Sequence, residues 1–216
     1  MANFKTAYGI TNKIEGYYTV SPNETYMGLD RKYTSSWLGW SIIDEYKAFT
    51  TLKYNQNLSF LKNLHTLHAA WSKSNYWDKL TLDSIRNQEL SNVWYDTYFT
   101  HSNPNVTKTV QAVAGADVDG YVGPDTIAAV NAMSISKLNE AITALNEYRL
   151  QAYTRSPLYA KYGNGWKARI ALFAANVSAI TSISKVGKGN ITKIGIVALL
   201  VGGAIYMYVA KTSSTT

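Results

Sequence analysis

Apolar residues recur along most of this chain every three to four positions, the period of a helix that buries one face. Phe4, Ala7, Tyr8, Thr11 and Ile14 mark a first short helix over 3–15, and Gly16 follows as a natural stop. From 16 to 36 the period is lost among Gly, Ser, Thr, Asn and Tyr, with Pro22 in the middle, which predicts an irregular loop or short hairpin. The helical period returns over 38–49 through Ile42, Ile43 and Tyr46, and over 58–71 through Leu61, Leu64, Leu67, His68 and Trp71. Ile85, Leu90, Val93, Trp94 and Phe99 predict a buried helix over 84–100, and Val106, Val110 and Val113 another that ends near Gly115. Further helices are expected from Pro124 or Asp125 to Ala132, over 136–155, and from Trp166 onward through Ile170, Phe173, Val177 and Ile180. Strand-like alternation is scarce. The fold class is mainly α, with a small hairpin in 16–34.

Residues 194–210, IGIVALLVGGAIYMYVA, break the pattern, because they carry no charge and show no polar stripe. As a helix they would reach ~25 Å, near the lower limit for crossing a hydrocarbon core. They are expected to form a transmembrane helix, with a buried terminal helix as the competing reading. Tyr206 and Tyr208 suit a membrane interface. The lysine-bearing stretch 184–193 reads as a linker and 211–216 as a tail. Lipid or a hydrophobic protein partner is the expected contact of 194–210, giving a membrane-associated protein. Lysines at 185, 188 and 193 precede the segment and Lys211 follows it, a bias toward a cytoplasmic soluble part. The first ten residues lack the charged region, apolar core and cleavage site of a secretory signal.

Lys and Arg number 21 against 14 Asp and Glu, a net charge of +7. That excess favours an acidic polymer or anionic surface as partner. The basic residues are scattered and form no stripe or motif of a specific nucleic-acid binder. Cys is absent, which excludes disulfides, thiolate nucleophiles and cysteine metal sites. His65 and His68 could share a helix face, but no third ligand follows at a usual spacing, so neither a metal nor a cofactor is expected.

Among the acids, Glu15 stands out. It lies between an apolar helix and an aromatic loop, a setting that suits the proton donor of a glycosidase, although it also reads as a surface acid at a helix end. Glu24, Asp30, Glu45 and Asp96 are the other carboxyls that could approach it.

Residues 14–47 resemble the amino-terminal motif of glycoside hydrolase family 108, the peptidoglycan muramidases of phage endolysins and bacterial relatives. That family carries Glu-Gly-Gly-Tyr, then Pro-x-Asp-x-Gly-Gly, then a Thr and a Gly-Ile pair. Glu15, Gly16 and Tyr18 match the first part, Pro22 the second, and Thr25, Gly28 and Leu29 the third; Trp37, Gly39, Trp40, Ile42 and Ile43 continue the likeness. Residues 106–131 resemble the family's predicted peptidoglycan-binding region through Val110, Gln111, Gly115, Asp119, Gly120, Gly123, Thr126 and Asn131. Arg149, Tyr153, Gly165, Trp166 and Arg169 are similar to its end. The loop around Gly120 and Gly123 reads on its own residues as structural first and ligand-contacting second.

The resemblance implies a lysozyme-like muramidase domain over 1–100 and a helical, wall-binding region over 101–183. It implies hydrolysis of the β-1,4 bond between N-acetylmuramic acid and N-acetylglucosamine, with Glu15 as catalytic acid and bacterial peptidoglycan as substrate. Tyr17, Tyr18, Tyr26, Trp37 and Trp40 offer faces to sugar rings, with core packing as the alternative for each. The sequence departs from the family in two places. Tyr17 replaces the second Gly, and a shorter stretch between Pro22 and Thr25 omits the Asp-x-Gly-Gly element. Glu24 then stands in for the second carboxylate by its distance from Glu15, or Thr25 alone orients water. A non-catalytic wall-binding or virion protein, partnered by virion or injection-particle proteins, is the alternative function.

Overall fold

The computed structural model describes residues 1–20 and 23–174 in full, and the backbone of 175–184, 194–201 and 204–211. Pro22, the expected linker beyond Ser184 and the tail beyond Lys211 lie outside the described residues. Two compact units are present, Met1–Leu145 and Asn146–Thr216.

The first unit is built around a helix buried on nearly every side. Helix α1 spans Phe4–Ile14, capped by Asn3, whose side chain accepts from the Thr6 N–H. It packs its Ala7, Tyr8 and Thr11 face toward α4, Gln88–His101. In α4 every residue from Leu90 to Thr97 is buried, and so is Phe99. Such a helix must satisfy its polar groups internally. The Ser91 and Thr97 hydroxyls donate to carbonyls one turn back, Asn87 and Val93, at 2.9 and 2.7 Å. Gln88 donates to Asn92 at 2.7 Å, and Asp96 accepts from the Thr11 hydroxyl at 2.8 Å. Rings fill the rest of the seam: Phe4 meets Trp77 and Tyr95 edge-on at 5.7 and 5.9 Å. The chain start is tied to the same helix, with Ala2 donating to the Ile85 carbonyl at 2.7 Å and Asn3 to Gln88 at 2.6 Å.

Between α1 and α4 come a small antiparallel sheet in the order β1 (Tyr18–Thr19), β2 (Thr25–Tyr26), β3 (Leu29–Asp30), then α2 (Gly39–Lys47) and α3 (Leu64–Ser72). Helix α3 starts later than the apolar period suggests, because Asn63 takes a left-handed conformation with φ 68° and interrupts the backbone there. A π-helical turn, Lys73–Trp77, and two 3-10 turns, Asp78–Leu80 and Leu82–Ser84, lead into α4.

Helices α5 (Pro104–Ala114) and α6 (Pro124–Ala132) both begin on proline, and α5 ends on Gly115 at φ 72°. The loop between them is organised by one buried side chain. Gln111 donates to Asp119 at 2.7 Å, to the Tyr121 carbonyl at 2.9 Å and to Thr126 at 3.1 Å, while its own oxygen accepts from the Gly120 N–H at 2.8 Å. Gly120 has φ 87°, and a Cβ there would meet Pro104 at 2.8 Å, so its glycine is required twice over. Asn131 holds α6 to the preceding segment, accepting from the Arg86 N–H and donating to the Ser84 carbonyl.

Helix α7 (Ile135–Thr154) leads into the second unit, where α8 spans Tyr159–Ser184. There Tyr153 stacks on Trp166 at 4.8 Å, and the Arg149 guanidinium lies 4.8 Å over Phe173 and donates to Asn146. The expected apolar helix over 194–210 is corrected. The chain instead forms β4 (Ile194–Val201) and β5 (Ala204–Lys211), an antiparallel pair. Ile, Val and Tyr dominate this stretch and favour strands, and a Gly-Gly dipeptide lies between the paired ends Val201 and Ala204. Among the described residues no helix is long and apolar enough to cross a membrane, so the transmembrane helix expected there is not formed.

Gln111→Ala leaves the Gly120 N–H and the Tyr121 carbonyl without their buried partner. It is expected to lower stability by about 2–4 kcal/mol in urea unfolding. A loss below about 0.5 kcal/mol would mean that the loop holds itself.

Candidate active site

Glu15 is the residue immediately after α1, extended at φ −69°, ψ 138°, with its N–H still donating to the Thr11 carbonyl at 3.2 Å. The chain beyond it is fastened by Asn55, whose side chain accepts from the Tyr17 N–H at 2.8 Å and whose own N–H donates to the Tyr18 carbonyl at 2.7 Å. The half-buried Glu15 carboxyl then meets the turn between β2 and β3. Tyr26 pairs with Leu29, so the loop is the two residues Met27 and Gly28, both at positive φ, 47° and 82°. This is the backbone of a type I′ hairpin turn, for which glycine is favoured. A Cβ on Gly28 would lie 2.9 Å from the Glu15 Oε2 and 2.6 Å from the Phe99 ring. Glycine here therefore serves both the turn and the close approach of backbone to carboxyl.

The turn is pinned from below by His68. Its Nδ1 accepts from the Tyr8 hydroxyl at 2.8 Å, and its Nε2 donates to the Met27 carbonyl at 3.0 Å, so the ring is the neutral Nε2–H tautomer. One fully buried side chain on α3 thus joins α1 to the hairpin. Burial pushes its pKa down to about 4, with the bond to Met27 opposing and the nearby His65 adding to the fall. Both ring nitrogens are used in these two bonds.

Glu24 and Thr25 are neighbours at the start of β2 and so project to opposite faces of the small sheet. On its face Glu24 is enclosed by cations. Oε1 accepts from the Tyr18 hydroxyl at 2.7 Å and from Lys47 at 2.9 Å, and Oε2 from Arg31 at 2.8 Å. Arg31 simultaneously forks onto Asp44. Burial works against the Glu24 charge, but the bonds from Lys47, Tyr18 and Arg31 outweigh it and hold the carboxyl below its ordinary range. Thr25 pairs across with Thr19 and Asp30 and is half-buried.

Of the five rings expected to face sugar, four are core. Tyr18, Tyr26, Trp37 and Trp40 are each 3% exposed or less. Tyr26 stacks on Trp37 at 5.8 Å, Trp37 meets Trp40 edge-on at 5.1 Å, and the Arg31 guanidinium covers Trp40 at 5.3 Å. The faces of Tyr26, Trp37 and Trp40 are spent on one another and on Arg31, and Tyr18 is buried with its hydroxyl donating to Glu24, so these four rings pack in the core rather than face a groove. Tyr17 is 40% exposed and keeps an open face.

Asp96 is buried against Thr11, one turn before Glu15 on α1. Phe99 and Tyr76, which sequence reasoning did not single out for the site, wall the region near Glu15; their rings meet at 4.9 Å. Burial raises the Tyr76 pKa, the Trp71 side chain opposes, and the charges of Tyr98 and Glu15 add to the rise. Tyr76 in turn lines a cleft of about 260 Å³ together with Tyr33, Trp71, Asn75 and Tyr98. A second cleft of about 450 Å³ runs from Lys79 and Tyr98 to Pro104 and Tyr121. Met27-Gly28 between two short apolar-aromatic stretches was a sequence signal for the turn; nothing local marked Tyr76.

The site is thus a half-buried carboxyl at a helix end, set beneath a hairpin turn in a mainly helical protein. The structure of Brucella abortus SagA has a similar fold, with a TM-score of 0.57 and 22% identity over 82% of this chain and 94% of that chain. No family model and no curated protein sequence matches the chain.

Because His68 is neutral when folded and titrates near 6.5 when unfolded, its contribution is complete above pH 6.5. It is lost as pH falls toward 4, where the unfolded chain alone takes up the proton. The expected loss over that window is about 3 kcal/mol. His68→Gln should be less stable than the native protein at pH 7 and should lack this part of the acid sensitivity. Parallel stability profiles for the two proteins would exclude the assignment.

Proposed function

We propose that the protein is a lysozyme-like peptidoglycan hydrolase, an N-acetylmuramidase in which Glu15 protonates the glycosidic oxygen that leaves. The observation that carries this reading is the Glu15 carboxyl itself, half-buried at the end of α1 beneath the Met27–Gly28 turn, beside Phe99. A glycosidase acid must be held firmly and within reach of solvent-borne substrate.

The second role falls to Thr25 in this proposal. Both oxygens of Glu24 are occupied by Tyr18, Lys47 and Arg31. Moving a proton onto Glu24 would require those cations to give it up. Thr25 orients the attacking water with its hydroxyl; the proton this water loses passes to bulk solvent, from which Glu15 is reprotonated, and attack from the side away from the leaving group inverts the anomeric centre. Glu24 fixes the hairpin to α2. Tyr17 offers its open face to a sugar ring.

A second reading is favoured by the same ion pairs. A chain whose usual auxiliary carboxylate is locked in a salt-bridge network is also suited to binding cell wall without cutting it, as a lysozyme-like virion component would.

Digestion of purified peptidoglycan by the native protein and by Glu15→Gln, with analysis of new reducing ends, separates the two. The hydrolase reading expects muramic acid reducing ends from the native protein and a rate lower by about 10²–10⁴ in Glu15→Gln. Binding without soluble muropeptides selects the second reading, and equal hydrolysis by both proteins removes Glu15 from its role.

A further inference from the structure

Lys79 stands in an unusual electrostatic position. It lies in the short 3-10 turn Asp78–Leu80, whose other charged residue is already neutralised: Asp78 accepts from Lys73, which also reaches Asp83 at 3.0 Å. Lys79 itself is exposed and forms no ion pair among the described residues. An unpaired lysine on an open surface has no special meaning. This one lines both of the clefts described above, and it shares that position only with Tyr98 among the residues that wall them.

The two clefts adjoin through this pair. Tyr76, which lines the smaller one, meets the ring of Phe99, and Phe99 and the Glu15 carboxyl both lie against Gly28. The larger one, about 450 Å³, falls within the ~300–1,000 Å³ typical of ligand sites. Its far wall is the loop organised by Gln111, so that wall is preorganised. Exposed tyrosines line each cleft, Tyr33 the smaller and Tyr121 the larger, at 75% and 71% exposure. Flat rings lining a groove suit sugar or peptide faces, and an ammonium shared by the two clefts suits a carboxylate.

We propose that Lys79 is a specificity-determining residue that binds a carboxylate of the peptide stem carried on muramic acid, and so selects an acidic wall polymer over a neutral one. This rests on the peptidoglycan reading above and names the part of that substrate which the site recognises. A neutral polymer of N-acetylglucosamine would leave the ammonium without a partner, whereas the acidic polymer supplies one at each muramic acid.

The test measures binding of the full chain to purified peptidoglycan sacculi by co-sedimentation. Native sacculi are compared with sacculi whose carboxylates have been converted to neutral amides. The native protein should bind amidated sacculi about tenfold more weakly, Lys79→Met should lose about tenfold on native sacculi and nothing further on amidated ones, and Lys79→Arg should retain most of the preference. If Lys79→Met binds native sacculi as the native protein does, the inference is overturned while the proposed hydrolase stands. If binding depends on Lys79 as described but no reducing ends form, recognition stands and the hydrolase reading falls. Absence of any binding to sacculi overturns both.

Discussion

The two hydrogen bonds of His68 connect three segments: α1 through the Tyr8 hydroxyl, α3 through its own backbone, and the hairpin through the Met27 carbonyl. The geometry around Glu15 depends on that bridge. A turn with two consecutive positive φ values is costly for Met27, and a strained backbone persists only where surrounding contacts hold it in place. Neutral imidazole suits this task because it offers one donor and one acceptor in fixed directions, and burial keeps it neutral. The turn held in this way brings Gly28 onto the Glu15 carboxyl, and Phe99 of α4 closes the other side.

Three carboxyls in this region have different environments. Glu15 lies at a helix end under backbone and ring, with solvent on one side. Glu24 is enclosed by Lys47, Arg31 and a tyrosine hydroxyl, which stabilise its charge. Asp96 is sealed within the helical core against Thr11. The same functional group is thereby left half-buried at a helix end, bound into a small electrostatic clamp, or used to satisfy a buried hydroxyl. Enclosing Glu24 also explains the burial of the nearby rings: the Arg31 that pairs with it covers Trp40, which packs on Trp37 and so on Tyr26.

The helix–loop–helix of α5 and α6 shows how a polar core residue organises a surface. Gln111 uses its amide to hold Asp119 and the Tyr121 carbonyl of the loop and Thr126 of α6, and its carbonyl to hold the Gly120 N–H, fixing a wall of the larger cleft. Of the two loop glycines, Gly120 alone needs a left-handed backbone; Gly123 is extended and leads directly into the proline that opens α6.

Much of the architecture was legible in the residues themselves. The period of apolar positions, Asn3 before α1, proline at the start of α5 and α6, and Gly115 after α5 are local signals with local causes, and the helices lie where those signals stand. The place of Glu15 just past α1 was legible for the same reason. Tertiary structure decided which carboxyl is enclosed, which rings are core, and what His68 does, because the deciding partners lie far away in sequence: Lys47 for Glu24, Trp37 for Tyr26, Tyr8 and Met27 for His68. It also decided between helix and strand over 194–210, where an uninterrupted apolar run has no period from which to choose, and pairing between the two halves of the run sets the outcome.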